Sequence, residues 1–412
     1  MKTLATRSPT VARLGTVARF LRGVTFKPDD VIDLDADDAV VCLRTKNIQA
    51  DLDEHDRIAI PSRIVRKDEL YVRETDILVS TANSWDLVGK CCWVPRLHYR
   101  ATAGGFISIL RAETSKVNAR YLYHWFNSAA TQHRVRLCGR QTTNISNMNY
   151  ERCESLEIPL PPLAEQKRIA DILDKADGIR RKQDTITRQK QQLLQAEFIE
   201  MFGDPATNPK GWNCVPLSQI VRELVGGVSI AADADESSST CYRVLKVSAV
   251  TWDDYRPNEC KPVPTEYIPD PAHIVKKGDL LFSRANTTEL VGAIAYVFET
   301  PPNLLLPDKL WRFVWNDEEL IDPQYIWALF TTPAVKHEIG KRATGTSGSM
   351  KNISKEKLMA ISIPVPPNDI QKRFGAFARS LHRLRTHGTN RDKLTSDLFN
   401  ALVQKAFSGE LE

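Results

Sequence analysis

The side chains in this chain that are best suited to chemistry are amides and cations beside short apolar runs. Lys46 and Asn47 follow one such run, and Lys246 stands at the corresponding place in a later stretch. Thr81 and Asn83 lie in Ser80-Thr81-Ala82-Asn83, and Arg284 and Asn286 lie in Ser283-Arg284-Ala285-Asn286. Arg140, Gln141 and Thr142 open a polar stretch whose loose counterpart runs from Thr344 to Lys351. Groups of this kind suit the edges of base pairs: Arg and Lys match the O6 and N7 acceptors of guanine, and Asn and Gln pair with adenine. These residues are the candidate contacts to double-stranded DNA, with Arg140, Gln141, Arg284 and Lys351 preferred. Thr81 and Arg284 differ at equivalent positions and are better placed to discriminate than the shared Asn83 and Asn286. Those two suit equally well the capping of a turn.

Catalytic patterns are missing. Gly345 to Gly348 is glycine-rich but lacks the Lys-Ser/Thr pair that a phosphate loop needs. No nucleophile elbow and no zinc-protease helix motif occurs. His133 and His337 are matched by position, each at the end of a predicted helix and outside any recognised catalytic pattern. The eight cysteines include no Cys-x-x-Cys pair and no set with zinc-ligand spacing, and they read as free thiols. No catalytic residue, metal or cofactor is expected in the chain itself.

The elements that must position the candidate residues occur twice. Between Val72 and Val94, ten of 23 residues recur at an offset of 203. Ile158-Pro159-Leu160-Pro161-Pro162 with Gln166-Lys167-Arg168 recurs as Ile363-Pro364-Val365-Pro366-Pro367 with Gln371-Lys372-Arg373, at an offset of 205. A duplication of about 200 residues suggests a pseudo-two-fold molecule reading two half-sites. Val40–Leu43, Ile77–Val79 and Cys91–Val94 read as strands, followed by a helix from Asn118 to His133. Tyr242–Leu245, Leu280–Phe282 and Ala293–Val297 repeat the strands, and Tyr325–Phe330 opens the matching helix. The expected class is therefore α+β, with two globular domains.

Each proline-rich segment leads into a long helix, the first from about Leu163 to Phe202. Asn368 is expected to cap the second, with Gln371 as its reciprocal partner. Ile172, Ile179, Ile186 and Leu193 recur every seven residues, as do Phe377, Leu384 and Leu398 with Arg391 interrupting. Such spacing predicts two seams packed as an antiparallel coiled coil. Lys and Arg outnumber Asp and Glu by eight to three between Asp369 and Phe407, so the second helix is basic. The expected divisions are a first globular domain over 1–154, a helical region over 155–209, a second globular domain over 210–357 and a closing helical region over 358–412.

The composition, 42% hydrophobic and 26% charged with net charge +5, supports real cores and permits binding to nucleic acid without requiring it. No apolar run approaches the roughly 18 residues of a membrane span, and the first residues lack a signal-peptide core. The expectation is a soluble, cytoplasmic protein without membrane contact.

The order of globular stretch, Ile-Pro-[Leu/Val]-Pro-Pro, Gln-Lys-Arg and long helix, then the same again, closely resembles the specificity subunit of type I restriction-modification systems. The resemblance covers essentially the whole chain, with Asn368-Asp369-Ile370 departing from the usual acidic residue before Gln. It implies two target-recognition domains, each reading half of a split DNA sequence, held apart by an antiparallel coiled coil. It further implies two methyltransferase subunits and restriction/translocase subunits as partners, with S-adenosylmethionine, ATP and Mg bound by those partners. Two other readings are a coiled-coil scaffold without DNA readout, and an enzyme with a cryptic nuclease or methyltransferase site.

Overall fold

The structure, a computed structural model, describes residues 10–141, 146–229, 242–317, 319–347 and 350–411, with the side chains of 140–141, 346–347 and 385–393 outside that description. The described residues form two compact units. Unit 1 runs to Lys182 and resumes at Asp392, and unit 2 runs from Gln183 to Arg391. The division falls within both long helices, Leu163–Phe202 and Asn368–Ser408.

The sheets form four matched pairs, one member in each unit. The main sheet of unit 1 is antiparallel in the order Ala18–Arg22, Ile107–Ala112, Ile77–Ser80, Cys91–Trp93. Unit 2 repeats it as Val221–Gly226, Leu310–Trp315, Leu280–Ser283, Ile294–Tyr296. A second sheet joins Ile58–Pro61, Ala39–Leu43 and Ala101–Ala103, and its counterpart joins Cys260–Pro262, Arg243–Leu245 and Leu304–Leu305. The inner strands of the main sheet are buried runs such as Ile77-Leu78-Val79, because apolar residues pack against both faces. Gly89 and Gly292 turn the chain with φ of +84° and +85°, and a Cβ on either would lie 2.7 Å from Val135 or 2.6 Å from Ile339. The repeat therefore keeps glycine there for both conformation and room.

The helix predicted from Asn118 to His133 is two helices, Ala119–Asn127 and Ala129–Cys138. Ser128 is extended at φ −64°, ψ 144°, and its hydroxyl accepts from the Thr131 amide, so it caps the second helix and ends the first. Asn118 caps the first helix, and Asp322 caps the equivalent helix Pro323–Thr331 in unit 2.

A short antiparallel ladder leads into each long helix, Val11–Arg13 with Glu157–Pro159 and Asn213–Pro216 with Ser362–Val365. The glutamine of each Gln-Lys-Arg motif then closes the junction. Gln166 accepts from the Asn118 amide at 2.8 Å and donates to the Pro161 carbonyl at 2.8 Å. Gln371 accepts from the Asp322 amide at 3.0 Å and donates to the Pro366 carbonyl at 2.7 Å. The expected capping box at Asn368 is thus absent, because Gln371 is buried and spends its amide on the globular unit.

One contact between helix and globular domain is inverted between the units. Asp174 accepts from Arg120 at 2.6 Å and from His124 at 2.7 Å. At the equivalent helix position unit 2 has Arg379, 4.0 Å from Asp322. Burial works against the charge on Asp174, but its His124 and Arg120 hydrogen bonds win and hold its carboxyl below the usual range. Burial wins at Asp322, whose carboxyl is raised despite backbone hydrogen bonds and the more distant Arg379.

Within each unit the two long-helix segments run antiparallel. In unit 1, Arg168 donates to the Leu411 carbonyl, and twelve residues further on Arg180 lies over the Phe399 ring. In unit 2, Lys190 donates to the Leu384 carbonyl, and Phe198 meets Phe374 edge-on at 5.6 Å. The predicted seam is nevertheless wrong. Ile179, Ile186, Leu193, Leu384 and Leu398 are exposed, Ile179 at 60%, while Ile172 and Phe377 are half-buried. The buried stripe is Gln166, Ile169, Leu173 and Asp177 in unit 1 and Phe198, Phe202, Phe374 and Ala378 in unit 2. Each segment packs on its globular core as well as on the other helix, and that core selects a different face.

Candidate nucleic-acid interface

The third pair of sheets gathers most of the candidate residues. Arg140–Gln141 pairs with Ser146–Asn147, which pairs with Ala82–Asn83. In unit 2, Thr344–Ser347 pairs with Met350–Asn352, which pairs with Ala285–Asn286. Stretches about 60 residues apart in sequence thus become neighbouring strands. Arg140 and Gln141 are placed by their backbone pairing, and Thr142 lies outside the described residues. Thr344 is exposed, and Lys351 is half-buried with its ammonium on the Gly345 carbonyl at 3.1 Å.

Lys46, Asn47 and Lys246 belong elsewhere, at the ends of strands in the second sheets. Lys46 pairs with Asp56 and Lys246 is exposed. Asn47 is not available to DNA. It is 1% exposed, its oxygen accepts from the Arg44 amide at 2.7 Å, and its amide donates to the carbonyls of Asp53 and Asp56. Such a side chain pins a loop. Asn83 and Asn286 each accept from the next backbone amide at 2.9 Å, the local turn bond that the sequence had offered as their second reading.

Beside each edge sheet the backbone is held by the same bonds. The Thr81 amide donates to the Phe106 carbonyl at 2.9 Å, and the Arg284 amide to the Lys309 carbonyl at 3.1 Å. The Thr81 carbonyl accepts from the Met148 amide at 2.8 Å, and the Arg284 carbonyl from the Ile353 amide at 3.0 Å. Side chains on this shared frame differ. In unit 1 a shallow cavity is lined by Arg22, Thr81, Phe106, Asn147 and Tyr150. Phe106 is 68% exposed, the Arg22 guanidinium lies 4.5 Å over the Tyr150 ring, and the Tyr150 hydroxyl meets Ser108 at 2.8 Å. The strand pairings Arg22↔Ser108 and Gly226↔Trp311 show what replaces them in unit 2. Trp311 is buried and stacks on Phe282, with Arg284 and Lys355 each 5.9 Å from its ring. Arg284 also donates to the Asp308 carbonyl at 2.9 Å. Sequence reading missed Arg22, Phe106, Tyr150, Lys309 and Lys355, which lie outside the well-matched window. Extending the copy-to-copy alignment along the strand pairs is the signal that finds them.

Nothing in the described residues forms a group of His, Cys, Asp or Glu able to hold a metal ion. His133 and His337 are exposed, and the described cysteines are free thiols. Burial pushes Cys42 and Cys92 up to about 12, far from a reactive thiolate. No described helix is long and apolar enough to cross a membrane.

Fold and site together define a duplicated α+β recognition protein whose paired helices run through both units. The sequence profile of the type I restriction modification DNA specificity domain matches it twice, over residues 10–195 and 209–395, and the chain belongs to that family. It is 25% identical over 420 residues to the type I restriction enzyme EcoKI specificity subunit of Escherichia coli, covering 97% of this chain and 89% of that one. The MjaVIII specificity subunit of Methanocaldococcus jannaschii is 24% identical over 394 residues, covering 91% and 86%. The crystal structure of a type I restriction-modification S subunit from M. genitalium superposes with a TM-score of 0.60 at 13% identity, covering 99% of this chain and 98% of that one, which supports the fold.

Proposed function

We propose that this chain reads a split, asymmetric DNA site, one half with each unit, while its long helices fix the spacing of the halves. The carrying observation is the pair of matched edge sheets: one backbone frame, built twice, with different side chains at corresponding positions. Two identical readers would select a palindrome, and two different readers select an asymmetric site. A 40-residue helix is about 60 Å long, enough to span half-sites one turn of DNA apart, about 34–36 Å. The chain is not catalytic by itself. Two methyltransferase subunits and restriction/translocase subunits assemble on it in the cytoplasm and bind S-adenosylmethionine, ATP and Mg.

Methylated-adenine mapping of the host genome, with and without this gene, tests the reading. One bipartite, asymmetric motif should lose methylation; an unchanged map, or loss of a palindrome alone, would refute it. Removing about one turn from both long helices should change the preferred spacer, and an unaltered spacer would defeat the ruler. Methyl transfer or cleavage by the purified chain alone would show that it is an enzyme.

A further inference from the structure

We infer that the surface around Phe106 in unit 1, and its counterpart around Lys309 in unit 2, is where the two readers acquire different base preferences. Unit 1 meets the thymine methyl of an A·T pair with an aromatic ring, and unit 2 meets a guanine edge with ammonium groups. The inference rests on the DNA-reading function proposed above.

The argument begins from the shared frame. Paired backbone hydrogen bonds superimpose Thr81 on Arg284 and Phe106 on Lys309, and strand register superimposes Arg22 on Gly226 and Ser108 on Trp311. The first residues of the short helices Tyr150–Glu154 and Lys355–Met359 then correspond. Every side chain of this set changes between the units: Arg22 gives way to glycine, while Thr81, Phe106 and Tyr150 give way to the cations Arg284, Lys309 and Lys355. Unit 1 presents an aromatic ring, Phe106, over a buried Thr81, whereas unit 2 has the half-exposed Lys309 and the exposed Lys355 and encloses its own aromatic residue, Trp311.

Phe106 is the most exposed aromatic ring among the described residues, 68% in water on a turn opened by Gly104 and Gly105. Its neighbours are tied to one another. The Arg22 guanidinium lies over the Tyr150 ring, and the Tyr150 hydroxyl is tied to Ser108 of the main sheet. A ring held in water on a firm base suits an apolar feature of the ligand, and in the major groove that feature is the thymine methyl. Lys309 and Lys355 suit the O6 and N7 acceptors of guanine. Arg284, preferred from the sequence, is instead a positioning residue: its guanidinium is held by the Asp308 carbonyl and lies over the ring of Trp311.

The test uses the assembled methyltransferase complex and a DNA library with both half-sites randomised. Phe106→Ala should relax one A·T position of a single half-site by about 5- to 150-fold, the range of one specific base contact. The other half-site, read by the unaltered unit, should keep its preferences and so reports intact folding. Lys309→Ala combined with Lys355→Ala should relax a guanine position in that other half-site. Phe106→Lys should move the altered position toward guanine. Unchanged preferences, or a uniform loss over all sequences as for a phosphate contact, would overturn the inference. A wild-type complex without sequence preference would overturn the functional reading beneath it.

Discussion

Gln166→Ala should loosen the junction between the first long helix and its globular unit, and the cost can be worked from the geometry. The Gln166 side chain is 1% exposed and joins three backbone groups: the Asn118 amide at 2.8 Å, the Pro161 carbonyl at 2.8 Å and, more weakly, the Lys116 carbonyl at 3.4 Å. Alanine removes the shared partner of the Asn118 amide and of the Pro161 carbonyl, the two stronger bonds, along with the weaker one to the Lys116 carbonyl. Each such group costs about 1–3 kcal/mol, so a total near 3 kcal/mol is expected. In a unit of about 200 residues that lowers Tm by roughly 6–12 °C. Hydrogen exchange is the better assay because the two units need not unfold together. Exchange should rise at Asn118, along the ladder of Val11–Arg13 with Glu157–Pro159, and through the first turns of the helix, with unit 2 unaffected. Gln371→Ala should do the same in unit 2 through the Asp322 amide and Pro366 carbonyl. Gln166→Glu is the sharper control: it keeps the acceptor for Asn118 but loses the donor to Pro161, and it should not restore the wild type. Wild-type protection in Gln166→Ala would refute the reasoning.

Two further predictions follow from the helices and their contacts. Ile179→Gln and Leu193→Gln, on the exposed stripe, should each change stability by less than about 0.5 kcal/mol. Leu173→Ala and Phe198→Ala, on the buried stripe, should cost about 2–5 kcal/mol, and equal losses on both stripes in denaturant titrations would restore the heptad seam. The two units should also respond oppositely to acid. Asp174 and Asp177 are held below the ordinary value of 3.8, so their contribution is present above 3.8 and is lost as pH falls through the depressed values. Burial raises Asp279 and Asp322 above 3.8, so their contribution is full below 3.8 and is lost as pH rises through the raised values. Unit 2 should therefore gain protection relative to unit 1 as pH drops toward about 4 from above. Parallel profiles, after correction for intrinsic exchange, would count against these assignments.

The duplication, the strands and the bounds of the first long helix were legible because each has a strong local signal. Repeated Ser-x-Ala-Asn turns and proline-rich exits mark the frame, and Gly203 and Pro205 end the helix. The packing face of the helices was not legible. It includes Gln166 and Asp177, polar residues that a search for apolar periodicity discards, and four residues at a seven-residue spacing form a short pattern that chance also supplies. The candidate interface was half legible. The divergence of the stretches near Arg140 and Thr344 is visible in the sequence, but their pairing with the Ala82–Asn83 and Ala285–Asn286 strands is a long-range fact. Asn47 misled because an amide beside a strand pins a loop as readily as it reads a base, and only its burial tells the two apart.

A tyrosine at one position of the repeat, Tyr121 and Tyr325, joins segments of both copies within each unit. Tyr121 donates to the Pro159 carbonyl at 2.8 Å, and its ring meets Phe407 edge-on at 5.3 Å. Tyr325 donates to the Pro364 carbonyl at 2.7 Å, and its ring meets Phe202 edge-on at 4.7 Å. Phe202 and Phe407 lie 205 residues apart, the offset of the Gln-Lys-Arg motifs, so they are one position of the repeat. Each unit therefore takes its tyrosine from one copy and the phenylalanine against it from the other copy's helix. Each long helix is pinned by glutamine at its start in one unit and by phenylalanine at its end in the other.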